Sequence, residues 1–139
     1  MFLLDTVMIS EPRRPRPAEG VLRFFDREPP AFLYTSVVVL GELRRGAVAQ
    51  RDSVYAGQLS RWIDEEVVPA FAGRVLDVTP AVADLWGRMR GEGVQRGENL
   101  PPIDALIAAT ALVHGLTVVT RNEADFRRCG AAVRNPWNE

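Results

Sequence analysis

Four acidic residues lie beside segments that the sequence marks as buried, and their side chains are the ones best placed to do chemistry. Asp5 ends the apolar run at residues 2–4, and Glu42 follows the apolar run at residues 37–40. Asp104 begins an alanine-rich apolar stretch, and Asp125 lies a few residues beyond the apolar run at 116–119. Burying an unpaired carboxylate costs roughly several kcal/mol. We therefore expect the four acids to share a cation, and a metal site is the leading hypothesis.

The chemistry of such a site follows from its ligands. Clustered carboxylates raise one another's pKa, whereas a bound dication keeps them ionised. All-oxygen ligands suit Mg²⁺ or Mn²⁺. Mg²⁺ keeps several of its waters, and one of these can become a nucleophile toward a phosphodiester. Thr120 and Asn122 lie close to Asp125 in the sequence and are candidates to orient that water or a carboxylate.

Each acid alone also has a structural explanation. Asp104 in the first turn of a helix would be stabilised by the helix dipole. Asp125 can cap a turn or a short helix, and Asp5 can be a turn residue at the start of the chain. Glu42 is harder to explain, because it shares a helical stripe with apolar valines and with Gly46. Gly46 has no side chain, which predicts that another element packs against this stripe.

The positions of these acids follow from a predicted alternation of strands and helices. Apolar runs predict strands at residues 2–4, 31–35, 74–78, 116–120 and 131–133. Helical spacing predicts helices at residues 18–26, 36–49, 52–71, 79–91 and 102–115, with Ser36 and Thr79 as capping residues and Gly115 as the last helix's stop. The proline-rich residues 11–17 and the polar residues 92–99 are expected to be loops.

Alternating strands and helices imply a parallel sheet that is covered by helices on both faces. Such sheets bind ligands at the carboxyl ends of their strands. Asp5 and Asp125 lie at or just beyond strand ends, and Glu42 lies in the helix that leaves the second strand. Asp104 lies in the first turn of the helix that feeds the fourth strand. This helix is apolar nearly all round, which predicts a buried crossover, and all four acids can converge at one end of the sheet.

Composition limits the function further. A chain of 139 residues predicts a single domain, and it has neither an apolar run long enough for a membrane helix nor a signal peptide, so we expect a cytosolic protein. The net charge of −1 does not indicate a globally basic nucleic-acid binder. The only histidine, His114, leaves no histidine pair for metal-free RNA cleavage, and the only cysteine, Cys129, permits no internal disulfide.

Six short motifs together resemble the PIN-domain family of nucleases, and more narrowly the VapC/FitB-type toxins of bacterial toxin–antitoxin pairs. The resemblance covers essentially the whole chain, and its motifs are specific through their order and spacing. They are Leu3-Leu4-Asp5-Thr6, Ser10-Glu11-Pro12, Gly41-Glu42-Leu43-Arg44-Arg45-Gly46, Pro102-Ile103-Asp104-Ala105-Leu106-Ile107-Ala108-Ala109, Thr120-Arg121-Asn122-Glu123-Ala124-Asp125-Phe126 and Asn135-Pro136-Trp137.

This resemblance implies a single PIN domain over residues 1–139, an α/β fold with about five parallel strands sandwiched between helices. It also implies Mg²⁺- or Mn²⁺-dependent hydrolysis of RNA, with Asp5, Glu42, Asp104 and Asp125 as catalytic acids. Asp5 and Asp104 would bind the metal, with Glu42 and Asp125 contributing directly or through water. Thr6, Thr120 and Asn122 would support them. The implied partners are RNA, a cognate VapB-type antitoxin whose C-terminal segment wraps the toxin, and a second copy in a homodimer.

One position departs from the family pattern. The opening motif usually reads Asp-Thr-Asn, and this chain has Val7 in the third place. An asparagine amide there can fix a neighbouring carboxylate, as supporting groups do for metal ligands. Val7→Asn is therefore expected to tighten Mg²⁺ binding or raise the cleavage rate, provided that Asn122 has not taken over the role.

Two other functions remain open from the sequence. The first is a catalytically weak or inactive PIN-fold module that binds RNA or the antitoxin, for which Val7 is the only sequence support. The second is a phosphoacceptor or phosphohydrolase on a similar sheet. Phosphoacceptors and phosphohydrolases of this kind normally require a lysine near the phosphoryl group. All 17 basic residues here are arginine, which argues against this second function.

Overall fold

The computed structural model describes residues 1–139 and contains one parallel sheet of five strands in the order β3-β2-β1-β4-β5. The strands are β1 Phe2–Leu4, β2 Leu33–Ser36, β3 Val75–Leu76, β4 Thr117–Val119 and β5 Val133–Arg134. Every pair of neighbouring strands is parallel. The predicted α/β class and the five-stranded parallel sheet are confirmed.

The helices connect these strands as crossovers. They are α1 Thr6–Ser10, α2 Glu19–Arg27, α3 Val37–Val48, α4 Ser53–Trp62, α5 Val68–Ala70, α6 Pro80–Gln95, α7 Pro102–His114 and α8 Glu123–Arg128. A π-helical segment, Ile63–Val67, joins α4 to α5, and 3₁₀ turns occupy Glu11–Arg13, Pro30–Phe32 and Pro136–Asn138.

The strand order creates a switch point between β1 and β4. From β1 the chain moves outward to β2 and β3, and it then returns across the sheet to β4 and β5 on the other side. Right-handed crossovers that run in opposite directions place their helices on opposite faces of a sheet. The loops after β1 and β4 therefore diverge, and this divergence opens a crevice at the carboxyl ends of the two strands.

The central strands are apolar along their length because both of their faces are covered. Leu3 and Leu4 in β1 are fully buried, as are Val118 and Val119 in β4. Strands that are buried on both faces read as continuous apolar runs rather than as alternating ones. This explains why the sequence marks these strands clearly although each is only three residues long.

The helix starts follow from their capping residues. The Ser36 hydroxyl accepts a hydrogen bond from the Val39 amide at 3.1 Å, and the Thr79 hydroxyl accepts one from the Val82 amide at 3.3 Å. Gly115 ends α7 in the left-handed conformation, with φ of 66°. These three predicted helix boundaries are confirmed.

The end of α6 differs from the prediction. We expected the helix to end near Gly91, and it continues to Gln95. The stop is Gly97, whose φ is 75°, and the amides of Gly97 and Glu98 donate to the carbonyls of Val94 and Gly93 at 3.0 Å and 2.8 Å. This is a Schellman motif, and the glycine that terminates the helix lies six residues beyond the one we expected.

Four further predictions are corrected. Residues 11–17, expected to be a loop, begin with a 3₁₀ turn, and the short helices α1 and α8 were not predicted. The first strand lies where it was predicted, at residues 2–4, and the other four are each shifted or shortened by one to three residues. Helix α7 is not buried all round, because Ile103 is 42% exposed and Leu112 and Val113 are each 39% exposed. No helix in the structure has both the length and the apolar character needed to cross a membrane.

Candidate functional site

Asp5 and Thr120 lie side by side because the strands that precede them are in register. Leu4 at the end of β1 pairs with Val119 at the end of β4, and the Asp5 amide donates to the Val119 carbonyl at 3.1 Å. The Thr120 hydroxyl donates to Oδ2 of Asp5 at 2.8 Å. The switch point of the sheet therefore holds a carboxylate whose orientation is fixed by the neighbouring strand.

Asp5 is also the N-cap of α1. Its Oδ1 accepts from the Thr6 amide at 2.7 Å, and the residue is only 6% exposed. Burial raises the pKa of Asp5, the hydrogen bonds from Thr120 and Thr6 oppose that rise, and the charge of Glu42 adds to it. Asp5 is thus an oriented carboxylate that is costly to keep ionised without a nearby cation.

Asn122 connects two further acids of the predicted site. Its backbone N–H donates to the Thr120 hydroxyl oxygen at 3.0 Å, which holds Asn122 beside the end of β4. Its side-chain nitrogen donates to Oδ2 of Asp104 at 3.1 Å and to Oδ2 of Asp125 at 2.9 Å. The hydrogen-bonded chain Asp5–Thr120–Asn122 therefore reaches Asp104 and Asp125.

The electrostatics of Asp104 show how close the acids lie to one another. The pKa of Asp104 is raised to about 6, first by burial and then by the charges of Asp5, Asp125 and Glu42. Asn122 lowers it slightly through its hydrogen bond. The structure thus brings all four predicted acids into one mutually repelling group.

Glu42 and Asp125 are each paired with an arginine one turn further along their own helix. Arg45 contacts Glu42 through Nη2 to Oε2 at 2.8 Å and Nε to Oε1 at 3.4 Å. Arg128 donates to Oδ1 of Asp125, and the pKa of Asp125 is lowered, mainly by Asn122 and then by Arg128. These arginines offset part of the negative charge, and their i,i+3 spacing from the acids was visible in the sequence.

The expected role of Gly46 is wrong. We predicted that its missing side chain lets another element approach Glu42, and a Cβ built on Gly46 meets no atom within 4 Å. Gly46 instead faces a cavity of about 420 Å³, which Glu42 and Thr6 also line. The acidic group therefore opens onto a groove rather than onto a packed helix.

The donor set is chemically suitable for a hard dication, but it is not a preassembled cage. No three histidine, cysteine, aspartate or glutamate side chains are arranged as a set of metal ligands. Asp104 and Asp125 are bridged by an amide instead. Mg²⁺ commonly takes only one or two carboxylates and keeps the rest of its coordination as water. The carboxylate oxygens of Asp5 and Asp104 fit that mode of binding.

One buried acid escaped the sequence reasoning. Glu11 is 6% exposed, its Oε1 accepts from the Ala18 amide at 3.0 Å, and its Oε2 lies 3.7 Å from Nη1 of Arg14. The sequence predicted only that Glu11 opens the proline-rich loop at residues 11–17. Its role is to hold the two ends of that proline-rich segment together.

Three other residues considered from the sequence, Val7, His114 and Cys129, lie in different environments. Val7 on α1 is 41% exposed, so the position that carries asparagine in the family pattern is partly open to solvent here. His114 is exposed in the last turn of α7, at the opposite end of that helix from Asp104. Cys129 is buried, and burial together with the charge of Asp104 raises the pKa of its thiol, so it remains protonated and unreactive near neutral pH.

Comparisons with known proteins identify the family and the fold of the chain. A family model described as the PIN domain matches residues 2–131. The chain is 36% identical over 139 residues to Toxin FitB of Neisseria gonorrhoeae, and the match covers 100% of both proteins. It is 36% identical over 145 residues to VapC ribonuclease Y4jK of Sinorhizobium fredii, covering 99% of this chain and 98% of that protein. A chain in the crystal structure of FitAcB from Neisseria gonorrhoeae superposes with a TM-score of 0.92 at 36% identity, with 100% of both chains covered.

Proposed function

The chain belongs to the PIN-domain family, and from that premise we propose that it is the toxin of a toxin–antitoxin pair and acts as a metal-dependent endoribonuclease. Full-length relatives that are named as a toxin and as a ribonuclease, each 36% identical, support this proposal. In this proposal residues 1–139 form one PIN domain, which works in the cytoplasm as a homodimer and is neutralised by a cognate VapB-type antitoxin.

The observation that carries the proposal is that one hydrogen-bonded chain, Asp5–Thr120–Asn122, joins the acid after β1 to Asp104 and Asp125. Burial, and then the charges of the other three acids, raise the pKa of Asp104 to about 6, which is typical of a functional site. A divalent cation would offset the charges of these acids. Asp5 and Asp104 would hold Mg²⁺ or Mn²⁺ directly, and Glu42 and Asp125 would contribute directly or through water. When bound, the metal would supply an activated water and stabilise negative charge on the phosphodiester.

The chain's own residues position this chemistry. Thr6 and Thr120 fix the orientation of the Asp5 carboxylate through their hydrogen bonds. Asn122 sets the spacing between Asp104 and Asp125. Arg45, which is paired with Glu42, reduces the repulsion that an incoming phosphate would meet from the acids.

A second function has specific support in the structure. Val7 is partly exposed where the family pattern has asparagine. This departure favours the alternative, a catalytically weak or inactive PIN-fold module that binds RNA or the antitoxin.

The products of cleavage separate these functions and test the mechanism. Attack by a metal-activated water leaves a 5′-phosphate and a 3′-hydroxyl. The protein should therefore cleave single-stranded RNA with Mg²⁺ or Mn²⁺, give those ends, tolerate a 2′-deoxy substitution at the scissile position, and be inactive in EDTA. Cyclic-phosphate products, together with loss of cleavage on 2′-deoxy substitution, would refute the mechanism. Absence of cleavage with both Mg²⁺ and Mn²⁺ would favour the alternative function, a module that binds RNA or the antitoxin without cleaving.

A further inference from the structure

A cluster of exposed arginines lies beside the acidic site, and the proposed catalysis does not use it. We name residues 11–17 the arginine loop; it contains Arg13, Arg14 and Arg16 between three prolines. Proline restricts the backbone, and the buried Glu11 ties the start of the loop to Ala18 at its far end through a 3.0 Å hydrogen bond. The loop therefore presents its positive charges from a fixed backbone.

The arginine loop forms one wall of the groove that reaches the acidic site. This groove has a volume of about 420 Å³, and its lining includes Arg13 and Arg14 from the arginine loop, Tyr55 and Trp62 from α4, and Glu42 from α3. That volume lies in the range of sites for small organic ligands, roughly 300–1,000 Å³. The groove is thus large enough for one nucleotide beside the acids.

The aromatic wall has the chemistry that nucleobases require. The Arg13 guanidinium lies over the Trp62 ring, with 4.8 Å between its central carbon and the ring centroid. Tyr55 is 44% exposed, so part of its ring is available to a ligand. Bases stack on aromatic rings and on guanidinium planes, and proteins that bind single strands combine such platforms with positive charge along the backbone.

Charge decides between the possible occupants. Arg13 is exposed and has no ion-pair partner, and Arg14, whose side chain is 63% exposed, lies 3.7 Å from the buried carboxylate of Glu11. A cationic segment that lies along the groove itself would be repelled by these two arginines, whereas a polyanion would be attracted by them. An anionic chain that approaches Asp5, Glu42 and Asp104 is repelled by these acids, and positive charge on the neighbouring surface offsets that repulsion.

We propose that this groove is a subsite for one unpaired nucleotide of the RNA, next to the scissile phosphate. Its base stacks on Tyr55 and on the guanidinium of Arg13, and Arg13 and Arg14 contact the flanking phosphates. Because the base must enter the groove, the subsite selects single-stranded over double-stranded RNA. The identity of the ligand as RNA rests on the proposed function.

Binding rather than cleavage tests the subsite. Fluorescence anisotropy in EDTA measures the affinity for a short labelled single-stranded RNA without any turnover. Tyr55→Ala should weaken binding by about tenfold, as loss of one base-stacking contact does. The matched control is Phe32→Ala, which removes an aromatic side chain of similar exposure, 46%, outside the groove and should leave the affinity unchanged.

A second variant fills the groove without removing any contact. Gly46 and Gly87 both lie inside helices, and a Cβ on either meets no atom within 4 Å. Both substitutions to leucine raise helix propensity, so neither should unfold the protein. Gly46→Leu should weaken RNA binding by about tenfold, the effect of losing one stacked base, whereas Gly87→Leu on the distant α6 should not.

The ligand used as a probe separates stacking from charge. An abasic phosphodiester oligomer should bind wild type and Tyr55→Ala equally, while Arg13→Gln should weaken binding of both the oligomer and the RNA. Arg27→Gln, which removes an exposed arginine from α2, is the matched charge control.

Three results would overturn the subsite. They are unchanged RNA affinity in both Tyr55→Ala and Gly46→Leu, equal affinity of the wild type for single-stranded and duplex RNA, and no RNA binding by the wild type. Loss of only antitoxin binding in these variants would assign the groove to that protein instead.

The two proposals can fail separately. If metal adds no cleavage while Tyr55 and Gly46 still control RNA binding, the catalytic proposal fails and the subsite stands. If cleavage depends on metal while these variants bind RNA like the wild type, the subsite fails alone.

Discussion

The Thr120 hydroxyl donates to Oδ2 of Asp5 at 2.8 Å across the boundary between two adjacent parallel strands. These residues are separated by 115 positions in the chain, and only the register of β1 with β4 brings them together. The contact orients Asp5, and the same hydroxyl accepts the Asn122 amide at 3.0 Å. One threonine therefore links the carboxylate of the first strand to the residues that follow the fourth.

The first prediction concerns this hydroxyl. Thr120→Val keeps the side-chain shape but removes the donor to Asp5, so the orientation of that carboxylate is lost and its pKa rises further. Loss of a group that positions a metal ligand typically costs about 10–100-fold in metal affinity or activity. We expect a decrease of that size in the rate of RNA cleavage and in Mg²⁺ affinity.

Thr110→Val is the control for this prediction. Thr110 is an equally buried threonine whose hydroxyl donates to the Leu106 carbonyl of its own helix at 2.8 Å. Its substitution should leave cleavage and Mg²⁺ binding unchanged. Equal losses in the two variants would mean that Thr120 contributes through folding alone.

The second prediction concerns the pH dependence of stability without metal. The pKa of Asp104 is about 6 in the folded protein against 3.8 for the unperturbed group, so the folded state binds more protons between these values. Stability should therefore fall as pH rises through that window. In EDTA, Asp104→Asn should be more stable than the wild type above pH 6, and the difference should disappear toward pH 4. Urea unfolding at a series of pH values measures this; a difference that grows toward acid would contradict it.

The third prediction concerns Asn122 and Val7. Asn122 contacts both Asp104 and Asp125, and Val7 is partly exposed, so we expect Asn122 to supply the amide that the family pattern places at position 7. Asn122→Ala should lower Mg²⁺ affinity and the cleavage rate by about 10–100-fold. Val7→Asn should change both by much less. A large gain from Val7→Asn, measured in the same titration, would show that the role is vacant in the natural chain.

The fourth prediction concerns inhibition by the antitoxin. The acidic group offers carboxylates to an arginine on the antitoxin tail, and such pairs form strong charge-assisted hydrogen bonds. The arginine would compete with the metal for Asp5 and Asp104. We therefore expect excess Mg²⁺ to weaken inhibition by an isolated tail peptide of the cognate antitoxin. Inhibition that is independent of Mg²⁺ concentration would place the tail elsewhere on the surface.

Local sequence signals predicted the parts of the fold that depend on neighbouring residues. Ser36 and Thr79 cap α3 and α6 with their own side chains, and Gly115 ends α7 through its backbone conformation. These boundaries were predictable because each depends on a few adjacent positions. The convergence of the acids was also predictable in outline, since the ends of parallel strands meet at one edge of a sheet.

Features set by packing were not predictable in this way. Gly93 was predicted to lie in the loop at residues 92–99, but it belongs to α6, and a Cβ there would lie 3.2 Å from the Glu98 carbonyl oxygen and 3.3 Å from the Leu100 side chain. It is a glycine because the chain folds back over the helix. Glu11 is buried by a contact with the Ala18 amide, which no periodicity marks. The groove beside Gly46 likewise depends on how the arginine loop and α4 meet.

The most direct test of the proposed catalytic site is single-turnover RNA cleavage against Mg²⁺ concentration in four variants. These are Asp5→Asn, Glu42→Gln, Asp104→Asn and Asp125→Asn, with Asp26→Asn as a control because Asp26 is an exposed acid on α2. Each of the four should lose most of its activity. Metal-free thermal stability should hold or rise in Asp5→Asn and Asp104→Asn, whose pKa values are raised in the folded protein, whereas Asp125→Asn loses the charge that Arg128 pairs with. Asp26→Asn should cleave like the wild type. Wild-type cleavage rates in any two of the four variants would contradict the assignment of the acidic site.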